Sequence, residues 1–300
     1  MDNRVAPEEP SAGAGSGAAA YLELTKPGIA VFVMLTAGVG YWVGSGGVVV
    51  PTDLVNMLLG TLVATGGALA LNQYVERDKD AVMLRTRGRP IPSGRVTPVA
   101  GLNFGATLFL AGTVYLAASV GPVPAALTVG STIAYVFVYT PLKTRSYLAT
   151  PAGAVPGAVP VLIGWSTATG GLSSGAWVLF AIGFLWQLPH VLALGWLLRE
   201  DYSRAGFFLI PPADPDGWKI GKHLLLYTTA LVPVSLAPTL LGLAGGVYFW
   251  GALALGLAFV ALCLPAARHI DNARARRAFL ASLAYHPLWM GLLVFDTLPL

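Results

Sequence analysis

LVNMLLGTLVATGGALALNQYVERDKDAVMLRTRGRP, residues 54–90, opens as an uncharged apolar run and closes as a densely charged one. A run of about 20 apolar residues in a helix spans the hydrocarbon core of a bilayer, so the first half reads as a membrane crossing and the second as the loop it delivers. Eight further uncharged apolar stretches stand around it. The nine together are 28–45, 54–74, 98–119, 122–140, 153–170, 176–197, 222–243, 246–265 and 278–296. Helices are the expected form, because hydrocarbon offers backbone N–H and C=O groups no partner but each other. A transmembrane barrel would need alternating polarity in segments of about 10 residues, and that pattern is absent from the sequence.

Composition agrees. The 300 residues are 55% hydrophobic and 11% charged, against about 25% charged in a soluble domain. The expected architecture is an all-α polytopic bundle of nine transmembrane helices forming one domain over 21–300. Residues 1–20, rich in Ala, Gly, Ser and Pro, read as a disordered tail, since they lack the basic start, apolar core and cleavage site of a signal peptide. The single cysteine, Cys263, permits no disulfide or thiolate cluster and reads as a packing or lipid-facing residue. Segment 153–164, GAVPGAVPVLIG, reads either as an irregular helix beside a pocket or as simple close packing.

The net charge of +4 is less informative than its placement. All 18 Lys and Arg fall before the first span or after the second, fourth, sixth and eighth. By the positive-inside bias the N-terminus and these loops face the cytoplasm and the C-terminus lies outside, in a cell inner membrane. The basic residues thus read as topology determinants facing lipid, and no nucleic-acid partner is expected.

Two charged loops carry candidate chemistry. If the helix of the second span continues, Asn72, Glu76 and Asp80 share a face at i, i+4 and i+8. Three oxygen donors in a row suit Mg²⁺, which is held by one or two carboxylates and completes its shell with water and substrate phosphates. Downstream, Arg85, Arg87 and Arg89 have forked guanidiniums that grip phosphate. A solvated turn touching anionic headgroups would also explain the arginines, but not Asn72 and Glu76 at the membrane end of an apolar helix. The second loop carries Glu200 and Asp201, followed by Tyr202 and Arg204. Two acidic helix ends facing one another could bind metal around one diphosphate. Asp214 and Asp216, in a Pro-rich stretch, read as turn residues. Lys143 and Arg145 are either topology determinants or contacts to substrate phosphate or propionate. His190, inside the sixth span, needs a partner of some kind. His223, His269 and His286 receive no role.

Together these segments resemble the UbiA-type superfamily of intramembrane prenyltransferases, and within it the heme O synthase branch. The likeness runs from TKPGI (25–29) onward. It includes the Asn72, Glu76, Asp80 run, M-x-R-T-x-x-R-P at 83–90, YTPLK at 139–143, GAVP-x-x-IGW at 157–165, and FLWQ-x-PH through REDYSRAG at 184–206. The resemblance implies a Mg²⁺-dependent transfer of a farnesyl group from farnesyl diphosphate to the vinyl group of protoheme IX. It places Asn72, Glu76, Asp80, Glu200 and Asp201 at the metal, Asn72, Glu76, Asp80 and Asp201 in catalysis, and Arg85, Arg89, Lys143, Arg145, His190, Tyr202 and Arg204 at the substrates. His190 would contact or ligate heme, or bond a neighbouring helix. A downstream heme A synthase or terminal oxidase assembly is a further implied partner. The alternatives are a superfamily member acting on a quinone precursor or a chlorophyll-type ring, and a transporter.

Overall fold

The computed structural model describes residues 17–300 apart from 212, 213 and 215, and the long elements among them are all helical. In chain order they are α1 (Gly17–Leu24), α2 (Pro27–Gly44), α3 (Pro51–Val82), α4 (Pro98–Ser119) and α5 (Pro122–Ile133). A π-helical turn (Ala134–Tyr139) and α6 (Thr140–Leu142) continue α5. Then follow α7 (Ala149–Thr169), α8 (Ser174–Leu197), α9 (Arg199–Ala205), α10 (Trp218–Leu240), α11 (Gly246–Arg268) and α12 (Asn272–Phe295). Proline opens α2, α3, α4 and α5, where its missing N–H costs nothing and its fixed φ suits the first turn.

Eight helices are long and apolar enough to cross a membrane: α2, α3, α4, the continuous Pro122–Leu142, α8, α10, α11 and α12. The expected span at 153–170 is α7, a helix of 21 residues that stands outside this set. Its Ala, Gly and Pro content makes it less apolar, and it is packed against α2, α5 and α8. It remains α-helical through Pro156 and Pro160, so segment 153–164 is a regular helix, closely packed through its glycines and lining a cavity with Gly153, Pro156, Gly157 and Pro160. Of the expected tail 1–20, residues 1–16 lie outside the described residues and Gly17–Ala20 already belong to α1. Large apolar side chains such as Leu110, Val114, Phe137, Trp250 and Phe295 are more than half exposed, the surface a bilayer would cover. Cys263 is fully buried, a packing residue.

Glycine sets the closest crossings. A Cβ on Gly40 of α2 would collide with the Val161 carbonyl of α7, and one on Gly164 of α7 with the Ala37 carbonyl of α2. Gly67 and Gly112 bring α3 and α4 together in the same way. Small residues are the means by which membrane helices approach, since lipid supplies no hydrophobic drive between them.

The basic loops gather at one end. Arg95, after α3, pairs with Glu23 of α1 at 2.8 Å. Asp201 of α9 accepts from the backbone N–H groups of Leu84 and Arg85 at 3.1 Å. Phe208 N donates to Lys143 O at 2.6 Å, and Arg199 donates to Asn272 at 2.9 Å. At the opposite end connections without Lys or Arg meet one another, where Asp296 accepts from Gly245 N at 2.9 Å and Tyr248 N at 2.7 Å.

Candidate active site

The acidic row sits where α3 changes character. Upstream, Thr65, Ala68 and Leu69 line an apolar cavity of about 120 Å³, closed by Ile29 and Val33 of α2, Tyr135 of the π turn and Gly157 and Pro160 of α7. Downstream on the same helix, Asn72, Glu76 and Asp80 are all buried. From Thr65 to Glu76 the helix rises about 16 Å at 1.5 Å per residue. An apolar groove therefore ends in a polar head site.

Each member of the row holds a cation. Lys26 Nζ donates to Asn72 Oδ1 at 3.3 Å. Lys143 Nζ donates to Glu76 Oε1 at 2.7 Å, with both side chains at most 10% exposed. Arg89 Nη1 reaches both carboxylate oxygens of Asp80, at 2.7 and 2.6 Å. The amide of Asn72 also donates to Thr140 Oγ1 at 3.0 Å, and that hydroxyl donates to Tyr135 O at 2.9 Å. The π turn thereby fixes Asn72, in keeping with the habit of π-bulges to occur at functional sites. The Lys143 ammonium lies 4.3 Å from the Tyr139 ring centre and 5.5 Å from that of Phe207. Burial opposes its charge, yet the field of Tyr139 and Glu76 raises its pKa above the ordinary lysine value.

Lys26 is the member that sequence reasoning missed. Among the described residues it is the one non-glycine with positive φ, 46°. L-residues avoid that region, and a residue before proline is normally extended. Local bonds hold the conformation: Lys26 N donates to Glu23 O at 3.1 Å, and Gln73 Nε2 donates to Leu24 O at 2.9 Å. Burial and then the positive charge of Arg89 push the Lys26 pKa down to about 7. With Glu23, Gln73 and Arg89 it lines an opening of about 320 Å³ that shares Ile29 with the groove. The available signal was TKPGI itself, a lysine abutting the first apolar run.

The second acidic pair divides. Asp201 turns to the 83–90 loop, accepting from Leu84 N and Arg85 N, and Arg204 donates to it at 2.7 Å. Desolvation works against its charge, but those N–H groups and the Arg204 guanidinium hold the carboxyl below the usual range. Glu200 is exposed, as are Arg85 and Arg145. Tyr202 packs near Phe207, with ring centres 6.1 Å apart, in the cluster of Met83, Ala149, Ala205 and Leu209 that closes the head site. Asp214 accepts from Lys219 N and Ile220 N at 3.1 and 3.0 Å, capping α10 as a turn residue would.

His190 stands apart from the acidic row, lining a second cavity of about 210 Å³ between α2, α7, α8 and α12. This cavity shares Ile29, Val33 and Gly157 with the groove. Ser282 Oγ donates to Phe279 O at 2.6 Å, which leaves it to accept from His190 Nδ1 at 2.9 Å. That places the His190 proton on Nδ1 and a lone pair on Nε2.

Among the described residues no three His, Cys, Asp or Glu side chains gather to hold a metal ion unaided. A divalent ion would need substrate oxygens to complete its shell, which is the habit of Mg²⁺. The donors of the row are all oxygen and their partners are all cations, so positive charge of the hard kind fits there.

The sequence profile described as UbiA prenyltransferase family matches residues 33–287. A curated relative, the protoheme IX farnesyltransferase of Solibacter usitatus (strain Ellin6076), is 42% identical over 290 residues, covering 92% of this chain and 98% of its own. Among solved structures, a digeranylgeranylglyceryl phosphate synthase superposes with TM-score 0.78 at 14% identity, covering 93% of this chain and 98% of that one. A UbiA homolog from Archaeoglobus fulgidus bound to GPP and Mg²⁺ superposes with TM-score 0.63 at 14% identity, covering 91% and 99%.

Proposed function

The chain belongs to the UbiA prenyltransferase family, and from that premise we propose that it transfers the farnesyl group of farnesyl diphosphate to the vinyl group of protoheme IX, giving heme O. One observation carries the chemistry: Lys26, Arg89 and Lys143 converge on Asn72, Glu76 and Asp80 at the mouth of an apolar groove. A charged head site opening onto a greasy channel suits a prenyl diphosphate. The acceptor comes from the protoheme IX farnesyltransferases this chain resembles over more than nine-tenths of its length.

Asn72, Glu76 and Asp80, with Glu200 and Asp201 beyond the 83–90 loop, would hold Mg²⁺, which when bound neutralises charge on the leaving diphosphate. The chain's own groups act around it. Lys26, Arg89 and Lys143 bind the diphosphate oxygens and keep their charge balanced as the allylic C–O bond breaks. Arg85, Arg145 and Arg204 lie at the same charged end as outer diphosphate or propionate contacts. Asp201 anchors the loop that carries Arg89. Ile29, Val33 and Tyr135 exclude water from the allylic cation, and the Tyr135 ring adds cation–π attraction. His190 and Tyr202 contact the acceptor and the head site respectively. The vinyl π pair then forms the new carbon–carbon bond.

In this reading α7 is the ninth crossing, the N-terminus and the basic loops face the cytoplasm, and the membrane is the cell inner membrane. A downstream heme A synthase or oxidase assembly would receive the product. The test is to incubate membranes containing the full chain with protoheme, Mg²⁺ and farnesyl diphosphate and to identify the heme by mass. Unmodified protoheme alone, in membranes where the protein is folded, would sink the proposal.

A further inference from the structure

The second cavity is lined by a histidine whose Nδ1 is buried with no hydrogen-bond partner. His286 of α12, 2% exposed, sits inside a collar of aromatic rings, its centre 4.0 Å from Trp186, 5.2 Å from Phe32 and 5.5 Å from Trp289. Among the described residues its Nδ1 has no hydrogen-bond partner. The other polar side chains lining the cavity each make at least one hydrogen bond. Thr36 donates to Phe32 O at 2.9 Å, Trp186 Nε1 to Ser282 O at 2.7 Å, Gln187 Nε2 to Gly183 O at 3.0 Å, and Trp289 Nε1 to the Tyr248 hydroxyl at 2.8 Å. His190 bonds Ser282. A buried nitrogen left over in an otherwise settled cavity calls for a water, the usual partner of such groups. The hydroxyl oxygen of Thr36 and the amide oxygen of Gln187 belong to residues lining the same space and offer further acceptors.

We propose that His286 is a catalytic base which holds this water and takes its proton in the closing step of the reaction. The inference rests on the farnesyl-to-protoheme reading above. Attack of the vinyl π pair on the farnesyl cation forms the carbon–carbon bond and leaves the positive charge on the vinyl carbon next to the porphyrin. Water oxygen then bonds to that carbon as one O–H bond breaks, and the proton passes to Nδ1 of a neutral imidazole carrying its own proton on Nε2. Charge moves from carbon to imidazolium, and the collar of Phe32, Trp186 and Trp289 stabilises it by cation–π attraction. The sharing of Ile29, Val33 and Gly157 between this cavity and the groove puts the two reacting halves side by side. Loss of a proton to give an alkene is the competing exit of the same cation, and it gains when no water is held and activated at this place.

The experiment reads product identity. Purified full-length protein in lipid nanodiscs is given protoheme, Mg²⁺ and farnesyl diphosphate in heavy-oxygen water, and the hemes are resolved by mass. Wild type should yield the hydroxylated product with its oxygen drawn from water. His286→Leu should raise the ratio of the product lighter by one water to the hydroxylated one by about 100-fold or more, the low side of what a general base contributes. His286→Gln, which can hold a water but is no base, should shift the ratio the same way by less, and serves alone if the leucine variant does not fold. A wild-type product ratio and rate in His286→Leu would overturn the assignment while leaving farnesyl transfer standing. So would a folded variant that makes neither product, since it would place His286 before carbon–carbon bond formation. A wild-type protein that makes no prenylated heme would overturn the function and this step together.

Discussion

Lys26 shows at the scale of one residue how local strain and a site can be coupled. An αL lysine before proline costs about 1–2 kcal/mol, and it persists because Gln73 and the α1 carbonyls hold the corner while its ammonium reaches Asn72. Lys26→Met should raise the KM for farnesyl diphosphate by roughly 10-fold or more, the worth of one charge-assisted hydrogen bond. Lys26→Gly should lose the same affinity yet melt at a higher temperature than Lys26→Met, because only glycine relieves the strain. Equal melting temperatures would show that the conformation carries no cost. Asp80 poses a different test. Its side chain is fully buried against Arg89, and removing one partner of such a pair typically destabilises by about 3 kcal/mol or more. Asp80→Asn should therefore lose both stability and turnover. The double change Asp80→Asn with Arg89→Met should recover the melting temperature without recovering activity. Near-normal turnover of Asp80→Asn at saturating Mg²⁺ would remove Asp80 from the metal site.

At the scale of elements, α3 carries the function because one unbroken helix runs from lipid-compatible residues into the acidic row, so the groove and head site keep a fixed register. The α2–α7 crossing holds the opposite wall. Gly164→Leu should force those helices apart and lower the melting temperature markedly, since overpacking a closed contact commonly costs about 1–3 kcal/mol. A leucine variant as stable as wild type would mean the crossing is looser than Gly164 and Ala37 show. The start of α12 depends on Asp271, whose side chain accepts from Arg274 N at 2.7 Å. That hydrogen bond, with Arg274 and His269 nearby, holds the Asp271 carboxyl below the usual range. Its contribution is present above the ordinary aspartate pKa and is lost as pH falls through the depressed one. Thermal melting of wild type should accordingly drop in acid more than that of Asp271→Asn, which keeps a capping oxygen but does not titrate. Parallel acid profiles would show that the cap carries no charge dependence.

On the scale of the whole molecule, the basic loops bond to one another and the loops without Lys or Arg do likewise at the other end, as a two-faced membrane protein requires. Orientation can be read with a membrane-impermeant thiol reagent on a Cys263→Ser background. Arg87→Cys should label only in inverted vesicles and Val48→Cys only in right-side-out ones, both positions being exposed. Labelling of both from one side would refute the topology. Much of this was legible beforehand. Uncharged runs and the placement of 18 Lys and Arg are properties of contiguous chain, and hydrocarbon punishes any other arrangement. The i, i+4, i+8 spacing of Asn72, Glu76 and Asp80 follows from helix geometry alone.

What the chain could not reveal by itself is which distant residues meet. Lys26, Arg89 and Lys143 arrive at the acidic row from three separate segments, and only the packing of α2, the 83–90 loop and the end of α6 against α3 brings them there. His286 lies midway along its apolar span, and nothing adjacent to it in sequence discloses that Phe32 and Trp186 surround it or that its Nδ1 is left without a partner. Hydropathy and helical period are set by neighbouring residues, whereas burial and the satisfaction of hydrogen bonds are set by the partners that folding supplies.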